Sequence, residues 1–280
     1  MLVAKPAGPT SHDIVDIARR ALDEPRVGHL GTLDPFAKGL LVLVVGRATR
    51  LAPYAADWPK SYEGVIRLGT STDTDDATGT VTGSGSWTSV TPGQLAAVIA
   101  GFRGGYEQRP PAYSAVKIQG ERAYRRARRG EQVAPAPRPV EIRELEIVEA
   151  APPDLTFRAT VSGGTYLRSL ARDIGAALGC GAHLAALRRT VVGPLRLEDA
   201  VAPEVVSSAA LRDAAVLVAH LPQRQVDGAE RDAVVHGRPI ASGLNADSRS
   251  PIALFAGAEL LAVAESVGEL LKPRVVVAEA

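Results

Sequence analysis

Gly39–Gly46 (GLLVLVVG) is the longest apolar run in the chain, and its length is that of a strand. It falls far short of the ~20 residues that a membrane-crossing helix needs. Leu40–Val45 contains no polar side chain, so neither face of such a strand can meet water. The pattern predicts a strand covered on both faces. The 280 residues, 46% hydrophobic and 22% charged, suit one large domain, or a large one plus a small one, and exclude a disordered tail. Aromatic residues make up only 4%, so the core must be aliphatic. Lys and Arg (32) almost balance Asp and Glu (31), which argues against a polycationic tail but leaves room for a local basic patch. The single cysteine, Cys180, excludes a disulfide framework and a multi-cysteine metal site, and suits a reducing compartment. The opening MLVAKPAGPTSHD has no secretory apolar core, so the expectation is a soluble, cytoplasmic protein.

Apolar spacing at Ile14, Ile17, Ala18, Ala21 and Leu22 predicts a helix capped near Ser11 and ended before Pro25. Residues 26–38 read as a loop and residues 61–69 as an alternating strand, with Tyr62, Ile66 and Leu68 on one face. Residues 70–80 look turn-like, residues 83–89 a polar loop, and residues 91–102 a helix. Residues 103–139 are poor in aliphatics, rich in proline and densely basic, which predicts a protruding insertion. Strands are expected at 140–148 and 155–162, a helix at 166–178, and a further short helix at 183–189. The composition shifts near Pro222. A small module is expected over 221–280, with a helix ending at His236-Gly237, a polar loop at Ser242–Ser250 and strands near 252–255, 260–264 and 274–278. Six Lys and Arg against eight Asp and Glu give residues 222–280 a net charge of −2, so the first 221 carry +3.

The most unusual segment is Gly28-His29-Leu30-Gly31-Thr32-Leu33-Asp34-Pro35, which sets a carboxylate in a loop beside the buried strand. Taken alone, Asp34 reads better as a turn former before Pro35. Five scattered histidines show no metal-ligand spacing, and Asp73-Thr74-Asp75-Asp76 lacks the glycine and glutamate of a calcium loop. No dinucleotide, Walker or serine-hydrolase fingerprint is present. Lys117–Gly130 (KIQGERAYRRARRG) holds six Lys and Arg against one Glu, with Tyr113 and Tyr124 nearby, a composition that suits phosphates and unpaired bases. Arg122, Arg125, Arg126 and Arg129 share one face if this stretch is helical. Gly163-Gly164-Thr165-Tyr166-Leu167-Arg168 joins a strand to a helix, where glycines allow close approach.

Taken together, the ordered segments KPAGPTSHD, GHLGTLDPFAKGLLVLVVGRATR, KSYEGVIRLGTSTDTDDATG, QRPPAYSAVKIQGERAYRRARRGE, SGGTYLRSLARDIGAALGCGAHLAALRRTVVGPL and GELLKPRVV resemble the bacterial TruB-type tRNA pseudouridine-55 synthases. The resemblance covers most of residues 3–200, more weakly the C-terminus, and overturns the bland reading of Asp34. It implies an α+β fold: a mixed, largely antiparallel sheet with flanking helices (the pseudouridine synthase fold), an inserted thumb and a small β-rich PUA-like domain. The implied division is a catalytic domain over 1–220, with the thumb at about 103–139, and an RNA-binding domain over 221–280. The implied reaction isomerises uridine 55 of the tRNA T-loop, flipped out of its stack, without cofactor or metal, in a monomer. Asp34 matches the family's catalytic aspartate, Tyr62 the tyrosine stacked on the target base, and Arg168 the arginine paired with the aspartate. Tyr166 and Leu187 match pocket residues. His29 matches the histidine that takes the flipped base's place, and Arg50 a basic residue near the RNA backbone. Lys117, Arg122, Arg125, Arg126 and Arg129 are the expected thumb contacts to RNA. Leu30 stands where a small polar residue is commoner, and Arg50 where lysine is common. A degenerate RNA-binding protein, a guide-RNA-dependent relative and a general hydrolase are the alternatives; the intact Asp34, Tyr62 and Arg168 set, the thumb and the lone acid weigh against each in turn.

Overall fold

The apolar run does lie in a strand closed to water on both faces, Lys38–Val45, in the computed structural model, which describes residues 1–242 and 250–279. Leu41 and Leu43 pack with Val3, Ile14, Val15 and Ala18 on one side. Leu40, Val42 and Val44 pack on the other with Ala253, Phe255, Leu260 and Val263 from near the C-terminus.

In chain order the strands are β1 (Leu2–Lys5), β2 (Val27–His29), β3 (Lys38–Val45), β4 (Lys60–Leu68), β5 (Thr70–Thr72), β6 (Val81–Ser84), β7 (Gly104–Gln108), β8 (Lys117–Ile118), β9 (Glu121–Arg122), β10 (Arg138–Ala151), β11 (Asp154–Val161), β12 (Ala182–Val192) and β13 (Leu195–Arg196). The C-terminal part adds β14 (Gln223–Gln225), β15 (Ile240–Ala241), β16 (Ile252–Ala256), β17 (Glu259–Val267) and β18 (Leu270–Val276). Helices are α1 (Ser11–Leu22), α2 (Pro92–Gly101), α3 (Ala123–Arg128), α4 (Leu167–Ala177) and α5 (Gly228–Val235). The large sheet runs β1-β3-β12-β4-β11-β10-β7, with β2 beside β3 and β13 beside β12. All its pairs are antiparallel except β12 with β3. The smaller sheet runs β14-β16-β17-β18-β15. The fold is therefore α+β, with a mixed sheet, flanking helices and a C-terminal β-rich unit.

Local chemistry explains the elements that frame the site. Helix α1 is capped by Thr10, one residue before the expected Ser11, in a reciprocal capping box with Asp13. That frees the Ser11 side chain to face inward. Helix α4 buries Leu167, Leu170, Ala171 and Ile174 in the cluster that holds Ile66, Leu155, Phe157 and Leu184 of the sheet.

The short helix expected at 183–189 is instead the body of β12. Leu184 and Leu187 stand three apart and both enter the same core cluster, which imitates helical spacing. A register shift between Leu184 and Ala186 against β4 produces that spacing, because a bulge advances the strand's face by one residue. Part of the expected loop at 26–38 is β2, and part of the polar loop at 83–89 is the end of the β5–β6 ribbon. The expected insertion is shorter than 103–139: β7 and the start of β10 belong to the main sheet, leaving residues 109–137 as the excursion. Its β8–β9 hairpin turns at Gln119-Gly120, both with positive φ, as a two-residue turn matched to strand twist requires. The helix expected to end at His236 is α5, and the C-terminal strands occur as β16, β17 and β18. The polar loop expected at Ser242–Ser250 lies, apart from its two end residues, outside the described residues.

Candidate active site

Asp34 sits in the loop between β2 and β3, and that loop is held at nearly every residue. The Ser11 Oγ freed by the Thr10 cap accepts from Leu33 N (2.8 Å) and donates to Leu33 O (3.0 Å). Buried Lys5 donates its ammonium to Ala37 O (2.8 Å), Pro6 O (2.9 Å) and Pro35 O (3.3 Å). Gly8 N donates to Pro35 O, and Ala37 N closes back on Asp34 O. Burial lowers the Lys5 ammonium to about 8, against the raising pull of Asp34.

Arg168, on the first turn of α4, meets Asp34 in a forked contact: Nε donates to Oδ2 (2.8 Å) and Nη2 to Oδ1 (3.2 Å). The arginine side chain is 6% exposed and the aspartate 32%, so the carboxylate keeps one open edge. Arg168 also donates to Thr74 O and Tyr113 O, both at 2.9 Å. These four bonds approach from different directions and leave the guanidinium one pose. Loss of water around Asp34 raises its carboxyl above the ordinary value, Arg168 pulls it back down, and Asp76 adds an upward push.

Asp76 is a residue that sequence reasoning missed. Its Oδ2 lies 3.7 Å from Arg168 Nε, and its Oδ1 accepts from Thr74 Oγ1, Thr78 N and Thr78 Oγ1. Arg168 therefore stands between two carboxylates. The signal was present in Thr74-Asp75-Asp76-Ala77-Thr78, where hydroxyls flank an aspartate at two-residue spacing. Next to it Asp75 pairs with Arg172 (2.9 Å), and burial lifts its carboxyl to about 6.

Tyr62 and Leu187 are brought together with Leu33, Ala37, Leu167 and Ile66 in one apolar cluster, which forms the dry wall beside the Asp34 loop. Tyr166 precedes α4, and its main chain is gripped by a second missed residue, the fully buried Gln108. The Gln108 amide accepts from Tyr166 N (2.8 Å) and donates to Tyr166 O (3.1 Å). The Arg138 guanidinium lies 4.9 Å above the Tyr166 ring. His29 is half-buried on β2, its Nδ1 without a hydrogen-bond partner among the described residues, and burial then Arg189 lower its basicity. Arg50 is directed elsewhere: it donates to Val276 O (3.0 Å) and Arg274 O (3.3 Å) of β18 and ties the helical segment after β3 to the smaller sheet.

In the thumb, α3 spans only six residues, and its buried face is Ala123 and Ala127. Arg126 pairs with Glu131 (2.6 Å), and Arg129 with Glu121 (2.6 Å) and Glu131 (2.7 Å). The arginine face expected from spacing is thus split, since Arg122 and Arg129 fall at the helix ends and two of the four guanidiniums already hold acids. Arg128 stacks 5.5 Å from the Tyr124 ring. Among the described residues no cluster of three His, Cys, Asp or Glu could hold a metal, and no helix is long and apolar enough to cross a membrane.

The chain is similar to known proteins over nearly its whole length. Residues 19–167 match the family model described as TruB family pseudouridylate synthase (N terminal domain), and residues 168–226 match tRNA pseudouridylate synthase B C-terminal domain. The chain is 41% identical over 285 residues to tRNA pseudouridine synthase B of Azoarcus sp., covering 99% of this chain and 94% of the relative. It is 43% identical over 289 residues to the protein of that name from Thermobifida fusca, covering 99% and 98%. In three dimensions it is similar to a chain in the crystal structure of a Cbf5-Nop10-Gar1 complex, with a TM-score of 0.76, 25% identity, and coverage of 99% of this chain and 85% of that one.

Proposed function

The chain belongs to the TruB family of pseudouridylate synthases, isomerases that act on uridine in tRNA, and on that premise we propose that its target is uridine 55 of the T-loop and that Asp34 performs the chemistry. The observation that carries the assignment is the forked Arg168–Asp34 contact at the edge of the apolar cluster holding Tyr62 and Leu187.

The reaction breaks N1–C1′, turns the freed uracil and joins C5 to C1′; the proton on C5 leaves to solvent and N1 ends carrying one. A carboxylate serves either as nucleophile at C1′ or as base at the 2′ position while cationic character builds on the sugar. Both roles need an ionised oxygen in a fixed place. Arg168 favours the ionised form and fixes the plane of the carboxylate, and the open edge of Asp34 leaves room for the sugar. Tyr62 offers the uracil a flat face, and the surrounding aliphatic wall keeps the detached base from water while it turns. Flipping the base out of its stack costs a few kcal/mol. Cations of the thumb, Lys117 and Arg122 to Arg129, would offset that cost through phosphate contacts, and residues 221–280 would act as the PUA-like RNA-binding unit beside a catalytic domain of residues 1–220.

Tritium release from C5-labelled uridine in an unmodified tRNA transcript tests the proposal. Wild type is expected to release one tritium per tRNA with no guide RNA added, and a transcript with cytidine at position 55 none. Asp34→Asn, which keeps shape and loses charge, is expected to bind tRNA and release none. Turnover by Asp34→Asn would remove Asp34 from the chemistry, and activity that depends on an added RNA would favour a guide-dependent enzyme.

A further inference from the structure

Arg189, on β12, is 1% exposed and is among the largest fully buried side chains of the molecule. Among the described residues no carboxylate forms an ion pair with it. Its guanidinium donates instead to three main-chain carbonyls: Nε to Leu40 O (2.8 Å), Nη2 to Gly31 O (3.0 Å) and Nη1 to Thr32 O (3.4 Å). Leu40 opens the buried part of β3, whereas Gly31 and Thr32 open the loop that carries Asp34. One side chain therefore joins the two ends of the segment 31–40. A buried charge without an acid is expensive, and a fold that only had to fill this space would be served by an apolar side chain.

The first turn of the loop is clamped from a second direction. Gly31 has φ +91°, and a Cβ there would lie 3.2 Å from Lys60 Cε and 3.5 Å from Arg189 Nη1. Lys5, farther along, takes the carbonyls of Pro35 and Ala37. The backbone of Arg189 is equally close: a Cβ at Gly39, φ +113°, would sit 2.2 Å from Arg189 O.

We infer that Arg189 is a positioning residue for Asp34: by closing the 31–40 loop at its base, its guanidinium fixes where the Asp34 carboxylate stands against Arg168. This rests on the proposed role of Asp34. Here three separate nitrogens of a planar guanidinium reach Leu40 O, Gly31 O and Thr32 O, a wider span than the one compact nitrogen of a lysine placed at the same position. Misplacement of a reacting group by about 1 Å costs on the order of 100-fold in rate.

The test uses the full chain, an unmodified tRNA transcript, single-turnover rates with saturating enzyme, tRNA Kd and thermal melting. R189K is expected to lower the single-turnover rate by roughly 30–100-fold in folded protein. Its tRNA Kd is expected to shift by less than about threefold, because a residue that only sets where the Asp34 carboxylate stands moves rate and not affinity. G31A, which crowds the same turn from the loop side, is expected to lower the rate likewise, and the double variant to lose less than the product of the two, as for groups acting through one element. An R189K rate within about twofold of wild type, or a rate loss matched by lost affinity, overturns the inference. So do losses that multiply in the double variant. If R189K does not fold, G31A carries the test, and a normal G31A rate overturns the inference. Inactive wild type would instead count against the proposed reaction itself.

Discussion

Arg168 contacts two carboxylates, Asp34 and Asp76, and no other cation forms an ion pair with either among the described residues. Removing it leaves them unneutralised, and breaking a buried ion pair from one side costs roughly 3–5 kcal/mol. Arg168→Met is therefore expected to melt well below wild type at neutral pH. Deprived of its guanidinium, Asp34 has only influences that raise its carboxyl or the more distant Lys5. The folded variant then binds protons more tightly than the unfolded chain, so its stability deficit shrinks as pH falls. Melting curves against pH check this, and a deficit that grows on acidification would contradict it. Lys60 shows the opposite sign. Burial lowers its ammonium to about 8 from an ordinary value near 10.5, while its Nζ donates to Trp58 O and Ala56 O. Between those values the unfolded chain binds more protons than the folded one, so this lysine makes stability rise with pH across that window. Lys60→Met is expected to lose that rise, seen as a shrinking advantage over wild type in melting temperature from pH 8 to pH 10.

The thumb separates cations that are free from cations already engaged. Arg126 and Arg129 hold Glu121 and Glu131, whereas Lys117, Arg122, Arg125 and Arg128 form no ion pair among the described residues. Removing one cation from a phosphate flattens the slope of log affinity against log salt by about 0.7–0.9. Changing Arg122, Arg125 and Arg128 to Ala is expected to flatten the slope for tRNA by about two units, and changing Arg126 and Arg129 by about one or less. An equal change in slope per arginine removed in the two variants would mean that the ion pairs open on RNA. The elements also differ in what their periodicity could carry. The buried strand, α1, α2 and α4 were legible because each element meets a single environment along its length, as Leu40–Val45 does. Strand β12 was not, because its bulge shifts Leu187 onto the face of Leu184 and writes helical spacing into a strand. The proposed site residues Asp34, Tyr62 and Arg168 were singled out only as parts of ordered segments. Asp76, Gln108 and Arg189 stayed hidden because their meaning lies in distant partners: Asp76 answers to Arg168, Gln108 to a residue 58 positions on, and Arg189 to one 158 positions back. No local pattern records such a partner.

The two sheets share a core. Ala253, Phe255, Leu260 and Val263 of the smaller one cover Leu40, Val42 and Val44, and Arg47 and Arg50 donate to carbonyls of the C-terminal strand and tail. Burial of each large apolar side chain is worth about 1.5–3 kcal/mol. A chain ended at residue 221 is accordingly expected to melt far below the full protein in calorimetry and to expose apolar surface to a fluorescent dye; an unchanged melting temperature would show that the sheets fold separately. The order of strands has a consequence in time. Strand β12 is the last long strand of the main sheet to be synthesised, yet among the described strands it alone lies between β3 and β4 and links the β1–β3 half to the β4-β11-β10-β7 half. Until residue 192 has left the ribosome, a nascent chain holds two half-sheets with bare facing edges, the state in which strands pair wrongly with neighbours. Asp34 and Arg168 belong to opposite sides of that gap, so the proposed site comes into being in one late event rather than by degrees, and a ribosome halted before it leaves that site unassembled.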